Sequence, residues 1–431
     1  MGTSIKSLLF IGLSLVFTCS EIYAQNASSN VKPTTSTSAK TVTATKKTSP
    51  PSTTTNKPAK PKYSGPVYKI KVKINGLKDT TIRLGHHFGN NKYVVDTAKL
   101  NSKGEGMFVG DSLLDGGIYL IITPQLNYFE IIIDKDQDFS ITTDTVEMVK
   151  NLKIEGSDEN IVFNDYQKFM IEKQEMSQKN QKKYASLKKL VDSTGVSVDD
   201  KKKYTEELNS LKTTITQTDS LVKARWNSII TQYPNSLLSV VLKAMKEVDV
   251  PPFPRNDKGE IIDSAFQYKY YKQHYLDNID FTDYRLLRTP ILENKIDEYF
   301  EKVIYPPIPD TISYEVDKLI EKSKGNSKMY RFLVQFLFNK YNNPKIMGMD
   351  RVFVHIADKY YLSGLATWAQ NDTAFMKSVK DRVVHQRYNL IGETAQELRL
   401  MDLNNSPVSL HSIDADYIEL YFFDTDCGHC Q

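Results

Sequence analysis

Hydrophobic and polar residues alternate along the chain between residues 67 and 155. The segments VYKIKVKING and NYFEIIIDKDQDFSITTD alternate or run β-branched, and Gly- and Asn-rich turns recur at FGNNK, NSKGEG and LLDGG. Short strands separated by such turns are typical of antiparallel sheets. The pattern therefore predicts an antiparallel β-sandwich or small barrel, which we assign to residues 63–156.

From Asp158 to about Leu390 the apolar residues recur at three- and four-residue steps, as they do on one face of a helix. Ser197 followed by Asp200 is typical of a helix start, and the period from there continues to Tyr233. We predict two long antiparallel helices in the first part of an all-helical domain that spans residues 157–388. Shorter helices are expected near residues 264–279, 290–303, 311–323, 327–341, 350–361 and 372–388.

Past residue 389 the period returns to that of strands. ELRLMDL, an Asn-Asn turn and PVSL predict a hairpin, and DYIELYFFDTD predicts a buried strand after it. Two cysteines, Cys427 and Cys430, follow that strand in the sequence CGHC.

The acidic run DKDQD has the opening spacing of a calcium-binding loop at Asp134, Asp136 and Asp138. The sixth position is Phe139 where the loop needs Gly, and the twelfth is Thr145 where it needs a bidentate Glu. We interpret the run as a polar hairpin turn.

Two other groups of residues have a structural and a functional interpretation. His86 and His87 are adjacent in a predicted strand, so they point to opposite faces and do not chelate one ion. The aromatic run FQYKYYKQHYLDNIDF fits either a ligand-stacking surface or helix-on-helix packing, and we favour packing.

The N-terminus reads as an export signal followed by a tether. Residues 1–24 contain one Lys, an apolar run from residue 8 to 17 and small residues before Gln25. Cleavage after Ala24 and lipidation of Cys19 are both open as processing routes. Residues 25–62 are rich in Thr, Ser, Lys and Pro and contain no aromatic residue, which predicts a disordered tether.

Amino-acid composition and net charge limit the classes of function that the chain can have. With 40% hydrophobic and 25% charged residues, the chain has enough apolar material for several folded domains. The tether holds seven Lys and no acid, and without it the formal net charge falls from +4 to −3. A basic folded face is therefore not indicated, and we predict no nucleic-acid partner. The tether is interpreted as a solvated spacer, with contact to anionic lipid or cell wall as the alternative.

Only two cysteines remain after the signal. A C-x-x-C pair closes a very short loop, so as a structural staple it adds little to stability, and in an exported chain it favours disulfide exchange. Half of a zinc site is the alternative, but no further mature Cys and only scattered His residues are available as ligands. We predict no metal and no cofactor.

The hairpin, the apolar strand and CGHC together resemble the opening of an envelope thioredoxin-like domain of the TlpA and ResA kind, over residues 389–431. The β domain and the helical domain, with the run IMGMDRVFVHIADKYY at 346–361, resemble two domains that precede the thioredoxin module in a multidomain branch of that family. The resemblance implies an α+β multidomain chain: an antiparallel β domain, an all-helical domain and the start of a thioredoxin-like α/β domain.

The resemblance also implies roles for the motif. Cys427 would be the nucleophile, with its pKa lowered by a helix N-terminus, and Cys430 would resolve the mixed disulfide. Gly428 and His429 would favour the thiolate, whereas the carboxylate of Asp426 would oppose it.

The implied function is a thiol–disulfide oxidoreductase of the periplasm or cell envelope that reduces or exchanges disulfides of exported proteins through the CGHC motif, and the likeness to TlpA and ResA favours reduction. Its expected partners are exported proteins with disulfides and an envelope redox donor or acceptor, and membrane attachment through Cys19 is open. The substrate and the direction of electron flow stay open.

A thioredoxin fold needs on the order of 100 residues, whereas about 40 follow residue 389. We therefore expect a chain truncated at its motif, without its cis-proline loop and poorly active in this form. The alternative is a non-catalytic envelope binding or assembly module that carries a vestigial thioredoxin segment.

Overall fold

The computed structural model describes residues 67–402 and 404–421. Contacts divide the chain into two compact units, one up to Ile304 and the other from Tyr305 onward. Strands come first and helices dominate the middle, so the α+β multidomain class is confirmed. The division between the units falls inside the predicted helical domain 157–388.

Eight strands form the N-terminal part of the first unit. They are β1 (Tyr68–Asn75), β2 (Thr81–Phe88), β3 (Asn91–Lys99), β4 (Glu105–Gly110), β5 (Gly117–Ile122), β6 (Tyr128–Ile133), β7 (Asp138–Asp144) and β8 (Lys153–Glu155). One four-stranded sheet has the order β4-β1-β7-β8 and the other the order β3-β2-β5-β6. All pairings are antiparallel except β1 with β7, which is parallel. The parallel pair was not predicted, because a period of two does not encode strand direction.

The two sheets share one hydrophobic core. On β1 the buried residues alternate with more exposed lysines, as the sequence pattern predicts. The core cluster contains Tyr68, Ile70, Val72, Ile74, Leu77, Ile82, Leu84, Ala98, Leu100, Phe108, Tyr119, Ile121, Phe129, Ile131, Ile133, Phe139, Ile141 and Leu152.

The acidic run 134–138 is a turn, but it does not close a hairpin. It joins β6 of one sheet to β7 of the other, so that part of the prediction is wrong. Gln137 fixes the connection, because its side chain donates to the carbonyls of Leu114 and Asp134 and accepts from the Leu114 N–H.

The helices of the first unit begin with the two predicted long ones. They are α1 (Asp158–Asp192), α2 (Val198–Gln232), α3 (Leu237–Met245), α4 (Phe266–His274), a 3₁₀ helix (Tyr284–Arg288) and α5 (Leu292–Glu298), which continues as a π-helix (Tyr299–Val303). Ser157 and Ser197 cap α1 and α2 with their side-chain oxygens. Helix α3 was not predicted: its run LLSVVLKAM is only nine residues long and largely buried, and so short an apolar run does not distinguish a helix from a buried strand.

Helix α1 covers the outer edge of strand β6. Asn160 accepts from the N–H of Ile132 at 2.7 Å and donates to its carbonyl at 2.6 Å. Two turns further on, Gln167 donates to the carbonyl of Glu130 at 3.4 Å. These side chains take the place of a neighbouring strand, so the edge is closed to further pairing.

The second unit is helical and ends in a small hairpin. Its elements are α6 (Pro309–Lys322), α7 (Ser327–Asn342), α8 (Asp350–Ile356), which continues as a π-helix (Ala357–Leu362), α9 (Thr373–Arg387), β9 (Arg399–Met401), β10 (Pro407–Ser409) and a short 3₁₀ helix (Leu410–Ser412). The predicted hairpin is present, with β9 antiparallel to β10.

The strand predicted after this hairpin is not found in the described residues. Residues 413–421 are neither strand nor helix, and all of them are exposed, with Tyr417 at 94%. A buried strand needs hydrogen-bonding neighbours on its edges and packing on its faces. Among the described residues, no other strand is paired with this segment.

Candidate functional site

The residues predicted for redox chemistry lie outside the described part of the structure. These are Asp426, Cys427, Gly428, His429 and Cys430, and Cys19 of the predicted signal lies outside it as well. The structure therefore describes the hairpin β9–β10 that precedes the motif, but not the motif.

The hairpin that precedes the motif is organised by two carboxylates. Glu397 accepts from the hydroxyl of Ser409 at 2.7 Å and from the N–H of Leu410 at 2.8 Å. Asp402 accepts from two turn N–H groups, those of Asn404 and Ser406, at 2.8 Å each. The hydrogen bond from Ser409 is the main cause that lowers the pKa of Glu397. Glu397 therefore joins the two ends of the hairpin, and Asp402 closes its turn.

A second cluster of polar groups converges on Asp317 of α6. One carboxylate oxygen accepts from His355 Nε2 at 2.9 Å and pairs with Lys359 Nζ at 2.8 Å, and the other accepts from the hydroxyl of Tyr360 at 2.8 Å. The three donors all belong to the run IMGMDRVFVHIADKYY. Asp317 is therefore the acceptor that these three residues of the run share.

The π-helix explains how three donors of one helix reach the same carboxylate. In an α-helix, residues four apart share a face and the fifth turns away. The wider turn over Ala357–Leu362 brings Tyr360 to the side already occupied by His355 and Lys359.

Burial and hydrogen bonding have opposite effects on the pKa of Asp317. Partial burial acts to raise the pKa of Asp317, but the hydrogen bonds from His355, Lys359 and Tyr360 outweigh it and hold the pKa below its ordinary value. Burial and the bond to Asp317 raise the pKa of Tyr360, which therefore stays protonated. Both carboxylate oxygens have protein partners, so the cluster joins α6 to α8 and its π-helical continuation.

Aromatic rings lie beside this cluster. Tyr330 packs edge-on against Tyr360, with ring centroids 6.5 Å apart, and against Trp368, at 5.9 Å. Arg331 lies over the ring of Trp368. These contacts tie α7 to the π-helix and to the segment before α9.

In the first unit, two arginines of the 3₁₀ helix join the sandwich to the helices. Arg285 pairs with Asp134 at 2.7 Å, and Arg288 pairs with Asp115 at 2.8 Å. A Cβ on Gly117 would lie 2.3 Å from the Cβ of Arg288, so the close approach requires glycine.

His86 and His87 lie on β2 and face opposite sides, as predicted. His86 packs on Tyr119 of the sandwich core, and burial lowers the pKa of His86. His87 Nε2 lies 3.2 Å from Oε1 of Glu130, across β5, and both side chains are 6% exposed. The pair is buried between the sheet and the helices.

The aromatic run forms packing contacts as well as a partly exposed helix. Tyr275 stacks on Tyr299 at 5.8 Å and donates to Glu298 at 2.6 Å, and Lys295 lies over the Tyr275 ring. Burial lowers the pKa of Lys295. Helix α4 itself has no fully buried residue, so packing is made by the end of the run rather than by the helix.

A cleft of about 300 Å³ lies where the 134–136 turn meets the start of α1 and the loop before α3. Asp134, Asp136, Asp158 and Glu159 line it, and Glu159 accepts from the N–H of Leu237 at 2.6 Å. Burial raises the pKa of Glu159.

In the described residues no group of three or more His, Cys, Asp or Glu side chains is placed to hold a metal ion. No helix in the described ranges is long and apolar enough to cross a membrane.

Two domain families match the chain. A domain of unknown function, DUF4369, matches residues 68–163, and another, DUF5106, matches residues 199–379. The first match spans the β-sandwich and the start of α1, and the second runs from α2 into α9. Neither reaches Cys427 or Cys430. No curated protein and no solved structure matches the chain.

Sequence reasoning did not find the cluster around Asp317. His355 and Lys359 are four residues apart on a predicted helix, which is a visible signal for a shared partner. The identity of that partner depends on how α6 packs, which the sequence pattern does not encode.

Proposed function

We propose that this chain is part of a thiol–disulfide oxidoreductase of the cell envelope that acts through Cys427 and Cys430. The observation that carries the proposal is the CGHC sequence, which holds the only two cysteines outside the signal. The hairpin β9–β10, present where the thioredoxin-like resemblance requires one, supports it. Two domain matches ahead of the motif are compatible with the order of modules in that resemblance.

The exchange needs two thiols and no cofactor. The thiolate of Cys427 attacks one sulfur of a substrate disulfide, which forms a mixed disulfide and releases the first substrate thiolate. The thiolate of Cys430 then attacks the sulfur of Cys427 and releases the second. The substrate gains two electrons, and the Cys427–Cys430 disulfide is reduced again by a donor dithiol in the envelope.

The neighbouring residues set how readily Cys427 ionises. His429 beside the pair favours the thiolate and so makes the couple more oxidising, whereas the charge of Asp426 opposes ionisation. The direction of transfer then follows from the reduction potentials of the donor and the substrate.

Single cysteine variants test the assignment. Cys430→Ser should accumulate mixed disulfides with exported proteins, because attack proceeds and resolution does not, and Cys427→Ser should give none. Non-reducing gels after acid quenching and alkylation measure both. Equal trapping by the two variants would show that neither thiol is the dedicated nucleophile.

A non-catalytic binding or assembly module is the second candidate. It is favoured by the exposure of residues 413–421, which do not form the core strand that a thioredoxin domain requires. If the Cys427→Ser, Cys430→Ser double variant supports growth and envelope disulfide content as well as the parent chain does, this second candidate is preferred.

A further inference from the structure

The far end of the α1–α2 hairpin concentrates positive charge. Residues 179–203 contain eight lysines and three aspartates, a net charge of +5. The described residues as a whole carry −1, so those outside this segment carry −6. We refer to residues 179–203 as the basic tip.

The lysines of the basic tip are exposed and mostly unpaired. They are Lys179, Lys182, Lys183, Lys188, Lys189, Lys201, Lys202 and Lys203. Lys183 pairs with Glu207 at 2.5 Å. Within the part of the chain that the structure describes, the other seven have no carboxylate within ion-pair distance. A merely solvated helical face normally interleaves acids with its lysines, which lowers their mutual repulsion.

The lysines are held together by a small core of the hairpin itself. Leu187, Leu208, Leu211 and Ile215 are buried with one another, and Tyr184, Val191 and Tyr204 pack against them. From Lys179 to the end of α1 is about 20 Å at the rise of an α-helix, which is about two and a half Debye lengths at physiological salt, and successive lysines along the helix are closer together than that. The tip is therefore a local cationic surface on a part of the chain that is acidic as a whole, which corrects the expectation from net charge that the folded part has no basic face.

Aliphatic side chains are exposed on the same tip. Val198, at the first turn of α2, is 85% exposed, and Leu190, in the last turn of α1, is 42% exposed. Lysines around a few exposed aliphatic residues are typical of segments that lie on a lipid surface, where the lysines contact head groups and the aliphatic residues enter the interface.

We propose that the basic tip binds an anionic phospholipid surface. Charge complementarity supports an anionic partner, and the exposed Val198 and Leu190 favour a lipid interface over a purely acidic protein. This inference does not depend on the redox proposal, because it uses neither cysteine.

The test uses the chain without its signal, residues 25–431, and sedimentation with vesicles of phosphatidylcholine that contain about 30 mol% phosphatidylglycerol. The variant neutralises four lysines of the tip: Lys188→Gln, Lys189→Gln, Lys201→Gln and Lys202→Gln. Each lysine near an anionic surface contributes about fivefold to partitioning, so we expect a loss at low salt of about 600-fold if all four contact the surface and of about 25-fold if two do. Binding of the parent chain should also vanish at about 0.5 M salt, where screening is strong.

A matched control removes the same number of charges elsewhere on the exposed surface: Lys99→Gln, Lys103→Gln, Lys153→Gln and Lys258→Gln. Both variants keep the tether, so the difference between them isolates the tip. We expect the control to retain binding within about twofold of the parent chain. Equal losses in both variants, no binding of the parent chain, or binding to acidic proteins without binding to vesicles would each overturn the proposal. Unchanged urea midpoints of both variants show that a loss of binding is not a loss of fold.

Discussion

Asn160 lies 1% exposed at the start of α1, and replacing it with alanine should destabilise the first unit without touching its hydrophobic core. The side chain is the hydrogen-bond partner of both polar backbone groups of Ile132, at 2.7 and 2.6 Å. Alanine removes the two bonds and leaves a buried N–H and a buried carbonyl without partners. Each unsatisfied group costs about 1–3 kcal/mol, so we expect a loss of about 2–6 kcal/mol in the free energy of unfolding.

The two tryptophans allow the units to be followed separately. Trp226 lies in α2 of the first unit and Trp368 in the second. In a Trp368→Phe background, urea unfolding monitored by tryptophan emission reports the first unit alone. With a dependence of about 3 kcal/mol per molar urea, a loss of 3 kcal/mol moves the midpoint by about 1 M.

An exposed residue of the same helix provides the control. Gln178→Ala changes helix propensity by only a few tenths of a kcal/mol and should leave the midpoint in place. A loss below about 1 kcal/mol for Asn160→Ala would refute the reasoning, because it would mean that water or a shifted backbone satisfies Ile132 in place of the side chain.

Two further predictions concern the other contacts of the fold. Gly117→Ala should lower the free energy of unfolding of the first unit, measured with Trp226, by more than Gly259→Ala does. A Cβ at Gly117 would lie 2.3 Å from the Cβ of Arg288, whereas Gly259 has open space around it and only a positive φ of 79°. Equal losses of unfolding free energy in the two variants would contradict a steric cause. Asp317→Asn should destabilise the second unit by about 1–2 kcal/mol at pH 7, monitored by Trp368 in a Trp226→Phe background. The pKa of Asp317 is lowered in the folded state, so its contribution is present above the unfolded pKa and is lost as the pH falls through the lower folded value. The difference between parent and variant should therefore shrink towards pH 3, and a difference that stays constant would show that ionisation of Asp317 does not stabilise the unit.

The periodic parts of the fold could be predicted from the sequence, because they depend on contacts close in the chain. The alternation on β1, the serine caps of α1 and α2, and the turn between β9 and β10 are each encoded within a few residues. Helix α3 was missed because a nine-residue apolar run is too short to distinguish a helix from a buried strand. Of the strand expected after the hairpin, residues 416–421 are described and are not in a strand, whereas residues 422–426 lie outside the described residues.

The sequence by itself also determined the candidate chemistry. The spacing of Cys427 and Cys430, and the lack of any other cysteine after Cys19, make them candidates for disulfide exchange, which stays a prediction because both lie outside the described residues. Only the tertiary structure decided which residues act together over long separations: Asp317 with His355, and Asn160 with the edge of β6. Partners 38 and 28 residues apart meet because helices and strands pack in a particular register. That register is set by the fit of many side chains at once, which no local pattern of hydrophobic and polar positions specifies.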